Sequence, residues 1–319
     1  MAIESWREEF FTHFLLLLVA IIWGSTWAVG RFLSFGVDEY NKSSLEPATV
    51  AWLRYAVVAI VFISWYVFIG KRNGVKLLPE NSEMWKQVFW LALLGTMAYQ
   101  LLFQHGMKWT AAGEASLIIP INPVFTVLLA YPMLGQKITK RMGLGLVTGM
   151  AGVFVVVGWS PNTSIPLEHR MIGDFMILLA ALCWAATSNL TKISLAGDGD
   201  VSALEIVIWY SIVGWLLLTP WMLVELWGSK IPEPTWMEWS AIAYLGIFST
   251  VLSYVWFARG IDRIGPTSAA SYVFLVPVFG VLSGWALLGE EVGFSMVLGF
   301  LLIVIGVREV QRESEKIAG

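Results

Sequence analysis

The chain carries one of its own segments twice. Shifted by 154 residues, Pro123-Val124-Phe125 falls on Pro277-Val278-Phe279, Val127-Leu128 on Val281-Leu282, and Leu134-Gly135 on Leu288-Gly289. Gly145 falls on Gly299 and Gly152-Val153 on Gly306-Val307, so that 12 of the 31 positions from Pro123 to Val153 are identical. At a shift of 155, Tyr99 meets Tyr254 and Ala115-Ser116 meets Ala270-Ser271. A duplicated segment implies a duplicated unit, so the fold has to be assembled from two related halves.

The charge content says what solvent that unit lives in. Apolar residues make up 57% of the chain and charged residues 13%, against roughly 45–50% and about 25% in a soluble domain. Runs such as 14–23, 50–69 and 298–307 are too apolar and too frequent for one water-soluble core. The sequence therefore predicts an all-α integral membrane protein with the lipid bilayer as a partner. A span needs about 20 mostly apolar residues. Ten stretches qualify, at roughly 12–34, 48–69, 86–105, 111–133, 141–159, 172–195, 203–226, 237–258, 266–288 and 293–310. Trp6, Trp85, Trp159, Trp227, Trp236 and Trp239 fall near span ends, where amphipathic rings suit the headgroup layer. The apolar stretch 12–22 runs on into Trp23-Gly24-Ser25-Thr26-Trp27 with no small-residue cleavage site, and reads as a retained first span.

Ten spans in two matching halves give five per half. Five is odd, so the second copy enters the membrane inverted relative to the first. The expected organisation is a first repeat over 1–159, a linker over 160–171, a second repeat over 172–310 and a tail over 311–319. Inverted repeats place a binding site near the bilayer midplane, where the halves meet. With the N-terminus cytoplasmic, 13 Lys and Arg fall on the cytoplasmic side, among them Arg7, Lys71, Arg72, Lys140, Arg259 and Arg308. Only Arg31, Lys42, Lys108, Arg170 and Lys230 fall on the other. That asymmetry puts both termini in the cytoplasm. The single cysteine, Cys183, excludes an internal disulfide.

Trp23-Gly24-Ser25-Thr26-Trp27, Pro47 with Arg54, the block from Arg259 through Gly265-Pro266-Thr267 into Pro277-Val278-Phe279, and Leu288-Gly289-Glu290 resemble the EamA type of the drug/metabolite transporter superfamily. The resemblance implies ten helices in two inverted five-helix halves around a central cavity. It also implies a plasma (inner) membrane exporter or exchanger of small metabolites, often amino acids. Two departures stand out: Gln136-Lys137 takes the place of the Gly-Glu seen at Glu290, and Glu114 stands where a small residue is usual.

Candidate site residues follow from spacing. Trp23, Thr26, Trp27 and Gly30 lie at i, i+3, i+4 and i+7, one helix face, and Trp184, Thr187, Ser188 and Thr191 repeat the pattern in the second half. Helix packing would also use such stripes, but midplane positions in both halves favour cavity walls. Tyr99 and Phe103 share a face of span three, Tyr254 matches Tyr99, and Ser271 and Tyr272 add a polar side to span nine. Aromatic walls suit apolar side chains, or a cation through cation–π attraction. Arg54 lies deep in span two, as a structural charge clamp or as the partner of a substrate carboxylate. Glu114 is either a first-turn acid at a helix start or a cavity anion for an amine or a coupling proton. Arg31 and Lys192 sit near span ends and are expected to snorkel. Glu205 follows Ser202 in a capping box. Pro120, Pro123 and Pro277 interrupt corresponding spans and are candidate hinges.

Enzyme chemistry finds no motif here: there is no His-Glu-x-x-His, Gly-x-Ser-x-Gly or phosphate loop with lysine. His13, His105 and His169 are scattered, so no metal or cofactor is expected, and no basic aromatic surface points to nucleic acid. The expected function is secondary transport of a small organic solute by alternating access, with amino-acid export leading. A carrier for quaternary amines or other organic cations, and a membrane receptor or sensor with the same cavity, are the alternatives. Monomer and homo-oligomer both remain open.

Overall fold

The structure is a computed structural model that describes residues 2–36, 45–135, 139–162, 164–195, 201–227, 232–264 and 272–318. Its described elements are helical. Helix α1 spans Ala2–Phe35 and α2 spans Pro47–Phe68, starting on a proline whose fixed φ suits a first turn. Helix α3 (Ser82–Leu91) starts at Asn81, whose side chain accepts from the Met84 amide at 2.7 Å. It runs through a π-helical stretch, Ala92–Ala98, into α4 (Tyr99–Trp109). Next come α5 (Ala112–Ile118), a 3-10 turn (Ile119–Ile121) and α6 (Asn122–Leu134). Helices α7 (Lys140–Gly158), α8 (Leu167–Leu195) and α9 (Ala203–Leu226) follow. Helix α10 (Trp236–Ala243) passes through a π-helical stretch, Tyr244–Leu252, into α11 (Ser253–Ile264). A 3-10 turn (Tyr272–Leu275) leads into α12 (Val276–Leu288), and α13 (Phe294–Ala318) is last.

The irregularities come in pairs that obey the sequence repeat. A π stretch precedes Tyr99 in the first half and Tyr254 in the second. A 3-10 turn enters α6 and another enters α12, each helix carrying a proline in its first turn. Both helices end on glycine in the left-handed region, Gly135 and Gly289, each at φ 67°, where a Cβ would be strained. In the first half the break bends the chain by 41° between Ala112–Ile121 and Val124–Met133.

Helices α7 and α13 meet along glycines. A Cβ on Gly145 would lie 2.7 Å from the Gly306 carbonyl, and one on Gly152 would lie 2.6 Å from the Gly299 carbonyl. The helices therefore cross antiparallel, and each contact is the other with the two halves exchanged. Close backbone approach through small residues is how membrane helices pack. The opposite face of α7 carries Leu144, Val147 and Phe154, all exposed. Apolar residues outward and glycines inward is the arrangement a lipid solvent selects.

Among the described residues, six helices are long and apolar enough to cross a bilayer, and the bent pair α5–α6 makes a seventh if taken as one span. The sequence predicts ten. The stretch 82–109 is helical throughout, with Glu83, Lys86 and Lys108 toward its ends. Helix α12 has 13 residues, about 20 Å at 1.5 Å per residue, and the residues 265–271 that would lengthen its span lie outside the described ones. Helix α13 occupies the tenth position.

Candidate functional site

A cavity of about 280 Å³ lies between the two matched halves. Its wall is aromatic and closes on itself. Trp23 on α1 lies 5.8 Å from Tyr254 on α11, which lies 6.4 Å from Trp184 on α8. Trp184 lies 5.4 Å from Tyr99 on α4, Tyr99 lies 6.0 Å from Phe103, and Phe103 lies 5.1 Å from Trp27, back on α1. These six rings all line the cavity. Their polar atoms are partly committed: the Trp23 Nε1–H donates to the Ser249 carbonyl at 3.1 Å, and the Thr26 hydroxyl to the Trp23 carbonyl at 2.6 Å. The buried Trp27 Nε1–H has no partner among the described residues.

The broken segments meet the same space. Ser116, Ile119, Pro120 and Asn122 reach it from the first half, and Val273, Val276 and Pro277 from the second. Proline withholds the amide that would meet the carbonyl four residues back. For Pro120 that carbonyl belongs to Ser116 and for Pro277 to Val273, both lining residues.

Arg54 supplies the charge. It is buried on α2, lines the cavity and, among the described residues, donates only to neutral groups. Its Nη2 reaches the hydroxyls of Thr250 at 3.1 Å and Ser249 at 3.3 Å, and its Nη1 reaches Gln100 Oε1 at 3.4 Å. Its guanidinium carbon lies 6.0 Å from the Tyr55 ring centre. No described carboxylate lies within ion-pair distance of it, and no carboxylate is among the cavity's described lining residues.

Three candidate lining residues stand elsewhere. Glu114 is not among the cavity's lining residues and stands in the first turn of α5, the other of its two expected roles. It is fully buried, accepts from the Ser160 hydroxyl and from Asn162 Nδ2 at 3.0 Å, and lies 3.5 Å from Arg170 Nε. Ser188 is exposed, its hydroxyl returned to the Trp184 carbonyl at 3.0 Å; a helix face is about 100° wide, and this residue falls past its edge. Tyr272 is not among the lining residues and its hydroxyl hydrogen-bonds His13 Nδ1 at 2.7 Å. Ser271 and Gln136-Lys137 lie outside the described residues. Pro123 stands in the first turn of α6.

The expected snorkelling of Arg31 is also corrected. Arg31 is buried, donating to the carbonyls of Met107 at 2.8 Å and Thr110 at 2.5 Å, and lies 3.8 Å from Glu290. Glu290 in turn caps α5, accepting from the amides of Ala112 at 2.6 Å and Gly113 at 2.8 Å. Burial pushes the Glu290 carboxyl above the usual carboxylate range, opposed by those two amides and by Arg31. The capping box at Ser202 and Glu205 is present, and Glu205 also accepts from the Lys76 amide at 2.7 Å.

Sequence spacing misses Tyr55, Gln100, Ser116, Asn122 and Ser249 in the lining. Gln100 and Tyr55 stand beside residues already singled out, and Ser116 repeats at Ser271, a signal that could have found it. Asn122 and Ser249 sit in a proline break and a π stretch, where regular helical periodicity does not hold.

Comparison with known proteins follows this geometry. The model of the EamA-like transporter family matches residues 10–158 and again 171–309. The chain belongs to the EamA-like transporter family. It is thus a multi-pass membrane transporter, and the family's members are transporters rather than enzymes. The chain is 26% identical over 295 residues to the uncharacterized transporter YyaM of Bacillus subtilis, covering 92% of each chain. It is 25% identical over 301 residues to a probable terminal-alkyne amino-acid exporter of Streptantibioticus cattleyicolor, covering 94% of this chain and 93% of that one. It is 26% identical over 300 residues to a probable amino-acid metabolite efflux pump of Salmonella typhimurium, covering 92% of each. A solved crystal structure shares its fold with a TM-score of 0.58 at 19% identity, over 94% of this chain and 96% of that one.

Proposed function

We propose that this EamA-family transporter exports a small carboxylate-bearing solute, an amino acid or a close relative, by alternating access. The observation that carries this reading is Arg54, buried at the cavity with hydroxyl and amide partners and no described carboxylate beside it. A buried cation without a counter-ion is costly unless the ligand supplies one. A substrate carboxylate does so, in charge-assisted hydrogen bonds worth about 1.5–3 kcal/mol. The aromatic ring accepts an apolar side chain, and the Ser116 carbonyl, which Pro120 deprives of its i+4 amide, is the proposed acceptor for an ammonium group. The two relatives named as exporter and efflux pump of amino-acid compounds fit this class. An organic cation fits less well, because Arg54 repels it and no acid stands among the described lining residues.

The scaffold belongs to the same proposal: ten spans, two inverted five-helix halves, both termini cytoplasmic. Support comes from the exchanged contacts Gly145–Gly306 and Gly152–Gly299 and from the paired breaks before α6 and α12.

The test is flux into sealed vesicles holding the purified protein, for amino acids beside their decarboxylated amines. Counterflow of the carboxylates with no counterflow of the amines is expected. Equal movement of the amines would overturn the substrate class, and saturable binding without flux would make the protein a sensor.

A further inference from the structure

Arg31 follows Trp23 and Trp27 on one stripe of α1, so a second polar site stands one helical turn, about 6 Å, beyond the aromatic ring. This site is a network of five charged side chains, Arg31, Glu114, Arg170, Asp174 and Glu290, each a tenth exposed or less. It joins elements of both matched halves. Arg31 bonds the Thr110 carbonyl at 2.5 Å, and the Thr110 hydroxyl donates to Asp174 Oδ1 at 2.5 Å. Arg170 lies 3.5 Å from Glu114 and donates to the carbonyl of Asn162 at 3.1 Å, while Asn162 Oδ1 accepts from the Glu291 amide at 2.9 Å.

The charges do not balance. Helix α1 contributes Arg31, α5 contributes Glu114, α8 contributes Arg170 and Asp174, and the turn between α12 and α13 contributes Glu290. Other charged or titratable groups nearby face elsewhere: Lys108 on α4 is paired to Glu46 at 2.7 Å, and His169 stacks on Trp109 at 5.8 Å. Three carboxylates thus face two guanidiniums in a largely buried site. An excess buried charge costs several kcal/mol, and taking up a proton removes it.

The hydrogen bonds and ion pairs together single out one carboxylate for that proton. Both oxygens of Glu290 accept backbone amides. Glu114 accepts two side-chain donors, both at Oε1, and its Oε2, buried without a hydrogen bond, lies 3.5 Å from the Arg170 guanidinium. Asp174 accepts one hydroxyl, and its Oδ2 is buried with no hydrogen bond; unlike Glu114 and Glu290, it has no guanidinium within 4 Å among the described residues. We propose that Asp174 is an exchangeable proton site of this transporter, occupied while the five-charge network is closed. Opening the cavity at this end draws Arg31 and Glu290 apart, admits water and releases the proton. The coupling of release to transport rests on the proposed function; the proton itself does not.

The test uses no substrate, so it stands or falls independently of the substrate class. The full chain is placed in lipid nanodiscs and its infrared spectrum is followed from mildly acidic to mildly alkaline pH. At neutral pH the carbonyl stretch of one protonated carboxylic acid is expected, fading as pH rises and absent in Asp174→Asn. Glu290→Gln equalises the charges, so the midpoint of that band moves to lower pH while Asp174 stays in place. This second variant separates the charge count from mere folding effects. A wild-type spectrum without the band, a band retained in Asp174→Asn, or a midpoint unmoved in Glu290→Gln each overturns the proposal.

Discussion

The indole of Trp23 lies 5.8 Å from the ring of Tyr254, and the pair has a double, Trp184 at 5.4 Å from Tyr99. The two pairs are one contact seen from the two halves of the chain. Each joins a tryptophan from the first helix of one half to the tyrosine that follows the π stretch of the other. Substrate held between the pairs touches both halves at once, which is what a carrier that rocks one half against the other requires.

Trp23→Ala and Trp184→Ala are expected to weaken substrate binding more than they lower folded yield. An aromatic contact is worth about 0.5–1.5 kcal/mol, a loss of roughly 2- to 10-fold in affinity per ring. Binding isotherms beside the yield of monodisperse protein check this. Normal binding in both variants would make the rings packing alone.

Arg54→Gln is expected to cost about 1.5–3 kcal/mol of affinity for a carboxylate, roughly 10- to 100-fold, with little effect on a substrate's amide analogue. Arg54→Lys keeps the charge but not the fork that reaches Thr250, Ser249 and Gln100 together, so it recovers part of the affinity. The check is the ratio of carboxylate to amide affinity in the three proteins. A ratio unchanged by Arg54→Gln would return Arg54 to a purely structural role.

What was legible in the sequence depended on where the partners came from. The stripes at Trp23 and Trp184 were legible because helical spacing and the repeat are both local patterns. Arg54 was legible as a charge where charge is costly, though its hydroxyl partners on the second half were not. Glu114 stands in the first turn of α5, one of its two expected roles, but its partners and the burial of Arg31 were not legible. Their partners, Met107, Thr110 and Glu290 for Arg31 and Ser160, Asn162 and Arg170 for Glu114, lie far along the chain and meet them only in the folded protein. Ser188 failed on a finer point, since i+4 spacing from Trp184 sets a neighbour but not the edge of the buried face.

Gly152→Leu is expected to break the seam between α7 and α13. Its Cβ would stand 2.6 Å from the Gly299 carbonyl and 2.8 Å from the Ile303 backbone amide nitrogen, neither of which can rotate away. Overpacking of this kind costs about 1–3 kcal/mol or more. Gly143→Ala, on the same helix with nothing within 4 Å of its Cβ, is the matched control. Melting temperatures in one detergent decide the comparison, and equal values would mean the helices do not pack through these glycines.

Glu114 separates a recognition role from a structural one. Its carboxylate is enclosed by Ser160, Asn162 and Arg170, with Ser116, two residues on, reaching the cavity in its place. Glu114→Ala strips Arg170 of its ion-pair partner, leaves the Ser160 hydroxyl without its acceptor and removes one of the two acceptors of Asn162 Nδ2. Breaking a buried pair from one side costs about 3–5 kcal/mol, tempered here because Asp174 on the same network can take over as the anion. The expected result is a clearly lower melting temperature with substrate affinity per folded molecule unchanged. Adding Arg170→Met, which removes the stranded cation, should return part of the lost stability. Affinity and melting temperature are measured on the same preparations of the wild type, the single variant and the double variant. A loss of affinity in Glu114→Ala that the second substitution leaves in place, with melting temperature unchanged, would put the carboxylate back in the binding site.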